Sequence, residues 1–120
     1  MMKKVLLVDS YEEIRDLLHL ELSGHGLQVE TASNGMEAQA HLNANQVDLV
    51  ITAYAMPHMN GAELITDINK QFPALPVVLL SMLSPDEMNA DFNNYHYLAK
   101  PFTITTLLKL VDKIFESQEP

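Results

Sequence analysis

Lys4-Val5-Leu6-Leu7-Val8-Asp9-Ser10 begins as an apolar run and stops abruptly on a carboxylate and a hydroxyl. A run that is apolar at successive positions suits a strand inside a sheet covered on both faces. Outward from it the same alternation repeats, a short apolar run followed by a longer amphipathic one. A helix is expected from about Glu12 to Ser23, with Ile14, Leu17, Leu18 and Leu22 on its inner side. Gly24 and Gly26 punctuate its end. Leu27 to Thr31 reads as a second strand, and Ser33 or Asn34 can cap a helix running to about Asn43. Asp48 to Thr52 is the third strand, and the turn from Pro57 to Gly61 leads into a helix reaching about Phe72. Pro76 to Ser81 is the fourth strand. Ser84-Pro85-Asp86-Glu87 is a strong helix start, with a capping serine, proline at the first position and acids in the first turn. Met88 and Phe92 are the expected anchors of that helix. Tyr95 to Ala99 is the fifth strand, and a last helix runs from Thr103 to about Glu116 on Ile104, Leu107, Leu108, Val111 and Ile114 or Phe115.

Five strands alternating with five helices predict an α/β fold, a doubly wound parallel sheet with right-handed crossovers. In such sheets ligands gather beyond the carboxyl ends of the strands. That rule singles out Asp9 and Ser10, Ala53 to Ala55, Ser81 and Met82, and Lys100. Carboxylate, hydroxyl and carbonyl oxygens suit a hard cation such as magnesium. A lysine beside a hydroxyl suits a phosphoryl oxygen. The predicted chemistry is therefore phosphoryl chemistry.

The length of 120 residues predicts one domain, residues 1–116, with 117–120 as a tail or the stub of a linker. The hydrophobic share of 48% is enough for a real core, and the absence of cysteine excludes disulfides and thiolate zinc sites. No apolar run is long enough to span a bilayer, and Val5 to Val8 is too short for a signal-peptide core, so a cytoplasmic location is expected. A net charge of −9 argues against direct binding to nucleic acid and favours a protein partner or a cationic ligand.

Four stretches then acquire a joint meaning: Val8-Asp9-Ser10, Met56-Pro57-His58-Met59-Asn60-Gly61, Ser81 at the end of a strand, and Tyr97-Leu98-Ala99-Lys100-Pro101-Phe102. In this order and spacing they resemble the receiver domain of two-component response regulators, over nearly the whole chain. The resemblance implies a flavodoxin-like (βα)5 fold with strand order 2-1-3-4-5. It makes Asp9 one of an acidic pair that organises magnesium, with Ser10 where the second acid belongs and the backbone carbonyl of Ala55 as a metal ligand. It makes Ser81 and Lys100 partners of a phosphoryl group, Tyr97 an aromatic switch, and the Lys100-Pro101 bond cis. It implies a histidine kinase as donor. An output domain or downstream protein would be met through the face formed by the fourth helix, fifth strand and fifth helix. A homodimer through the last helix and neighbouring strands fits the same resemblance. The stretch between Ser81 and Lys100 is shorter than the family's usual one, so that output face is expected to be mobile or reshaped.

Ala53 departs from the family where it matters most, because four residues before Pro57 is the phosphoacceptor position. Alanine offers neither nucleophile nor charge, and a second carboxylate is missing at Ser10, so magnesium binding is expected to be weakened. Two origins fit, a deliberate Asp-to-Ala change that locks the domain unphosphorylated, or a natural pseudo-receiver. The retained Ser81, Tyr97, Lys100 and Pro101 tip the balance to the first, and Ser10 pulls toward the second.

Plainer readings compete at each position. Asp9 alone would be a turn or helix-capping residue, Ser81 a satisfied hydroxyl at a strand end, Tyr97 an ordinary aromatic and Lys100 a solvated loop residue. Their ordered set favours the site. Met82 is expected to crowd the phosphate pocket, and His58 to sit at its mouth. A flavin site on the same architecture would need a phosphate-cradling loop after the first strand, and Asp9-Ser10-Tyr11-Glu12-Glu13 is acidic there. An aspartate-nucleophile phosphatase lacks its carboxylate. A signalling module that is not an enzyme is the leading expectation, and a phosphorylation-independent scaffold is the alternative.

Overall fold

The computed structural model describes residues 2–88 and 93–118. Its elements are β1 (Lys4–Val8), α1 (Glu12–Gly24), β2 (Gln28–Ala32), α2 (Gly35–Ala44), β3 (Leu49–Ala53), α3 (Gly61–Gln71), β4 (Val77–Ser81), β5 (His96–Ala99) and α4 (Ile104–Ser117). The strands form a parallel sheet in the order β2-β1-β3-β4-β5. The doubly wound topology expected from the alternation is therefore present.

Strand alternation divides the core into two layers. Val5, Leu7, Leu49, Ile51, Val78 and Leu80 face Leu18 and Leu22 of α1 and Leu107, Val111 and Ile114 of α4. Leu6, Val8, Val50, Val77 and Leu79 face Ala38 and Leu42 of α2 and Leu64, Ile65 and Ile68 of α3. β3 and β4 are buried throughout. Each such Leu or Ile contributes roughly 1.5–3 kcal/mol through lost contact with water. The edge strand β5 is half exposed.

One expectation needs correction. Leu18 and Leu22 of α1 are buried, but Ile14 and Leu17 are 40% and 49% exposed. The helix meets the sheet along its 18/22 line, so the neighbouring 14/17 line overhangs solvent. Of the helix expected after Ser84, the described residues contain the start, and the continuation lies outside them. Ser84 N–H donates to the Glu87 carboxylate at 2.9 Å, Glu87 N–H donates to Ser84 Oγ at 3.3 Å, and residues 85–88 form a turn. Those bonds, the one from the Ser84 backbone foremost, hold the Glu87 carboxyl below the usual range. Met88 is buried against α3 and β4 as expected of an anchor, whereas Phe92 lies outside the described residues. Among the described residues, no helix is long and apolar enough to cross a membrane.

Candidate functional site

β3 runs one residue further than expected, so Ala53 is its last member and pairs with Leu80 of β4. The β1–β3 register matches Val8 with Thr52, which places Asp9 one step on, level with Ala53. Asp9 N–H continues the ladder to the Ala32 carbonyl at 3.1 Å. By alternation Asp9 and Ala53 share the side of the sheet that carries Leu7 and Ile51.

Asp9 is 1% exposed. Its Oδ1 accepts the Tyr11 N–H at 2.9 Å, a turn in which an aspartate side chain satisfies the backbone two residues on and leads into α1. Arg15 Nη1 donates to the Asp9 carbonyl at 2.7 Å. Asp9 Oδ2 is buried with no hydrogen-bond partner, and Lys100 Nζ lies 4.0 Å from it. A buried carboxylate requires compensation, and here an ammonium supplies it electrostatically without a hydrogen bond. Lys100 is placed by its own backbone, whose N–H donates to the Ser81 carbonyl at 2.8 Å, and the Lys100-Pro101 bond is cis.

Ser81 and Tyr97 form a second group. Ser81 Oγ accepts the Leu83 N–H at 2.9 Å, and Tyr97 OH donates to the Leu83 carbonyl at 2.7 Å. One peptide residue thus links the strand-end hydroxyl to the aromatic ring. By alternation Ser81 sits with Val77 and Leu79, on the side of the sheet where Tyr97 packs. The predicted residues therefore gather as two pairs, Asp9 with Lys100 beside Ala53, and Ser81 with Tyr97. Ser10 is half-buried after β1, and Ala55 is exposed in the loop after β3. Met82 does not crowd a phosphate pocket; it is 81% exposed and turns toward α1. Arg15 escaped sequence reasoning, since an arginine early in a helix looks the same whether solvated or bonded.

The turn after β3 is rigidly tied. Asn60 caps α3 in a reciprocal box with Glu63, Met59 N–H donates to the Pro57 carbonyl at 2.7 Å, and Gly61 N–H donates to the Tyr54 carbonyl at 2.7 Å. His58, exposed at this turn, has φ 69°. A β-branched residue suffers more in that left-handed region than histidine does. His58→Val should lower unfolding stability by about 1–2 kcal/mol, read as a shift of the denaturant midpoint, whereas His58→Gly should not.

The profile of the response regulator receiver domain matches residues 5–112. The chain belongs to that family. Receivers are signalling domains of two-component systems and interact with histidine kinases and output domains. The receiver is 34% identical over 119 residues to the transcriptional regulatory protein GlrR of Escherichia coli K12, covering 97% of this chain and 27% of that protein. It is 33% identical to the DNA-binding transcriptional regulator NtrC of Salmonella typhimurium, covering 97% of this chain and 26% of that one. The chain thus spans far less than half of the curated relatives it matches. Among solved structures it resembles the chemotaxis response regulator CheY4 of Vibrio cholerae, with a TM-score of 0.84, 32% identity, and 95% and 99% of the two chains covered. It also resembles TrrA of Thermotoga maritima, determined in complex with Mg2+-BeF, with a TM-score of 0.81, 33% identity, and 93% and 98% covered.

Proposed function

We propose that this receiver works without an acyl phosphate at position 53, as a protein-binding module of a phosphorelay. The carrying observation is Ala53 itself, a methyl group 3% exposed at the end of β3, level with Asp9. In the family's chemistry a carboxylate oxygen there attacks phosphorus and the donor's P–O or P–N bond breaks. A methyl group has no lone pair to offer. Both origins of Ala53, designed or natural, lead to that chemistry.

A resident magnesium fits these residues poorly. Asp9 Oδ2 is a buried orphan oxygen of the kind a cation would take, but the Lys100 ammonium already stands 4.0 Å from it. Ser10 and Ala53 supply a neutral hydroxyl and a methyl where anions would raise affinity for a hard cation. Asp9, Ser10 and the Ala55 carbonyl are thus a weakened metal set. Ser81, Tyr97 and Lys100 keep the roles of phosphoryl partners and switch in form. Tyr97 and Ser81 act together through Leu83.

The upstream partner is a histidine kinase. The downstream one is an output domain or separate protein meeting the face of α4, β5 and the segment before β5, where a second copy of the chain also fits. The acidity of the domain disfavours its own direct contact with nucleic acid. A cytoplasmic location and a non-enzymatic role complete the proposal. Incubation with acetyl phosphate and magnesium should add no phosphoryl mass to the intact chain. A labile adduct on the unaltered protein would sink the proposal.

A further inference from the structure

The opposite end of the sheet, where β3 and β4 begin, carries a cleft of about 590 Å3. That volume lies within the range of small-molecule sites, roughly 300–1,000 Å3. Val47, Phe72 and Leu75 form its apolar floor and pack on the core layer beneath. Pro73 and Pro76 stiffen one wall, because each ring fixes its own φ. The segment they belong to is also tied by its backbone. Phe72 N–H donates to the Ile68 carbonyl at 2.6 Å, Leu75 N–H donates to the Phe72 carbonyl at 3.0 Å, and the Pro76 carbonyl accepts the Val50 N–H at 3.1 Å. The cleft is therefore pre-formed.

Its polar lining is Asp48 on one side and Gln118 on the other. Asp48 is held in place by the backbone of Lys4, whose N–H donates to Asp48 Oδ2 at 2.8 Å and whose carbonyl accepts the Asp48 N–H at 2.8 Å. The ammonium groups nearby in sequence are committed elsewhere. Lys4 Nζ lies 3.4 Å from Glu30, which also meets His41 at 3.1 Å, and Lys3 Nζ stands 5.6 Å over the Phe115 ring. Among the described residues no cationic side chain pairs with the Asp48 carboxylate. Gln118 brings the carboxyl end of α4 to the cleft, and the last turn of that helix holds no basic residue. A helix carries partial negative charge at this end. Two negative features thus face one apolar cleft, and neither has a cation.

We infer that this cleft binds a small organic cation, an amine carried on an aromatic or branched apolar body. The ammonium pairs with Asp48 while the body covers Phe72 and Leu75. An anion would be repelled, a neutral ligand forgoes the pairing, and a hydrated metal ion gains nothing from the apolar floor. The site lies at the far end of β3 from Ala53 and does not depend on the function proposed above. Asp48 leads directly into β3, so the strand that ends on Ala53 is gripped at its start.

The test follows backbone amides of the unaltered chain by NMR as phenethylamine is added. Saturable shifts are expected at Val47, Asp48, Ala74, Leu75 and Gln118, with a dissociation constant on the order of 1 mM for so small a ligand. Phenethyl alcohol and methylammonium each carry half of the chemistry and should bind at least about tenfold more weakly. Asp48→Asn keeps an oxygen for the Lys4 N–H and should weaken amine binding about tenfold while leaving phenethyl alcohol unchanged. Gln118→Lys, at an exposed position on the end of α4, places an ammonium beside the cleft and should weaken the amine likewise. Thermal melts establish that the variants are folded, and Gln118→Lys decides alone if Asp48→Asn is not. Absence of saturable shifts at these amides at about tenfold the expected constant overturns the inference. So does equal affinity for phenethyl alcohol, and so does undiminished amine binding by either folded variant.

Discussion

Ala53→Asp gains one hydroxylamine-labile acyl phosphate from acetyl phosphate in magnesium, where the unaltered chain gains none. The expected contrast is all-or-none, because it rests on the presence of a nucleophile rather than on its tuning. The new carboxylate would stand level with Asp9 at the end of β3, on the side of the sheet that Lys100 approaches. One of its oxygens forms the bond to phosphorus, and the P–O bond to the acetyl group breaks as acetate leaves. Lys100 then has two anions to serve, and its interaction with Asp9 should loosen. Two carboxylates side by side repel unless a cation lies between them, so the gain should depend steeply on magnesium. Ser10 remains neutral in that variant. Ser10→Asp added to Ala53→Asp should lower the magnesium concentration needed for half-maximal labelling by on the order of tenfold, since one more anionic ligand is worth at least about 1.4 kcal/mol. Intact-mass measurement across a magnesium series decides both points. Labelling of Ala53→Asp that is independent of magnesium would show that Lys100 alone neutralises the pair.

How much of this was legible beforehand varied with the range of the interaction concerned. The α4 stripe was legible because Leu107, Val111 and Ile114 lie on one line, and that line is what packs. The α1 stripe was broader than the strip that meets the sheet. Periodicity shows which residues share a side of a helix, but only the sheet and the β5–α4 loop decide that Leu18 is covered and Leu17 is not. The Ser84–Glu87 start was legible because its hydrogen bonds span three residues. Asp9 and Lys100 were singled out by the rule that ligands gather beyond the carboxyl ends of strands. The structure places Lys100 Nζ 4.0 Å from Asp9 Oδ2, an approach that sequence spacing does not show. The link from Ser81 to Tyr97 was hidden, because it runs through the backbone of Leu83, and a peptide group carries no signature of its own.

Gly61→Ala is the substitution expected to cost the fold most for its size. Gly61 is the first residue of α3 and its φ is not positive, so nothing in its backbone conformation calls for glycine. On helix propensity alone alanine would stabilise by about 1 kcal/mol. The surroundings reverse the sign. A Cβ on Gly61 would lie 2.6 Å from the Ala53 carbonyl oxygen, 2.7 Å from Leu79 Cδ1 and 2.9 Å from Tyr54 Cα. Two of those three are backbone atoms, and the Ala53 carbonyl also accepts the Thr52 hydroxyl at 2.9 Å, so it cannot swing away freely. Relief must come from moving α3 off the end of β3, against the Gly61 N–H bond to the Tyr54 carbonyl. A net loss of about 3 kcal/mol is expected, read from the denaturant midpoint at unchanged m-value. Gly24→Ala is the internal control. Nothing lies within 4 Å of a Cβ built at Gly24, so it should be neutral or stabilise by up to about 1 kcal/mol. Placed in the Ala53→Asp background, Gly61→Ala should also slow labelling by acetyl phosphate in protein that is still folded, because the strand end that moves is the one that holds the acceptor. Equal stability of the two alanine variants would show that α3 and β3 are free to separate at this contact, and that the acceptor position is not held by Gly61.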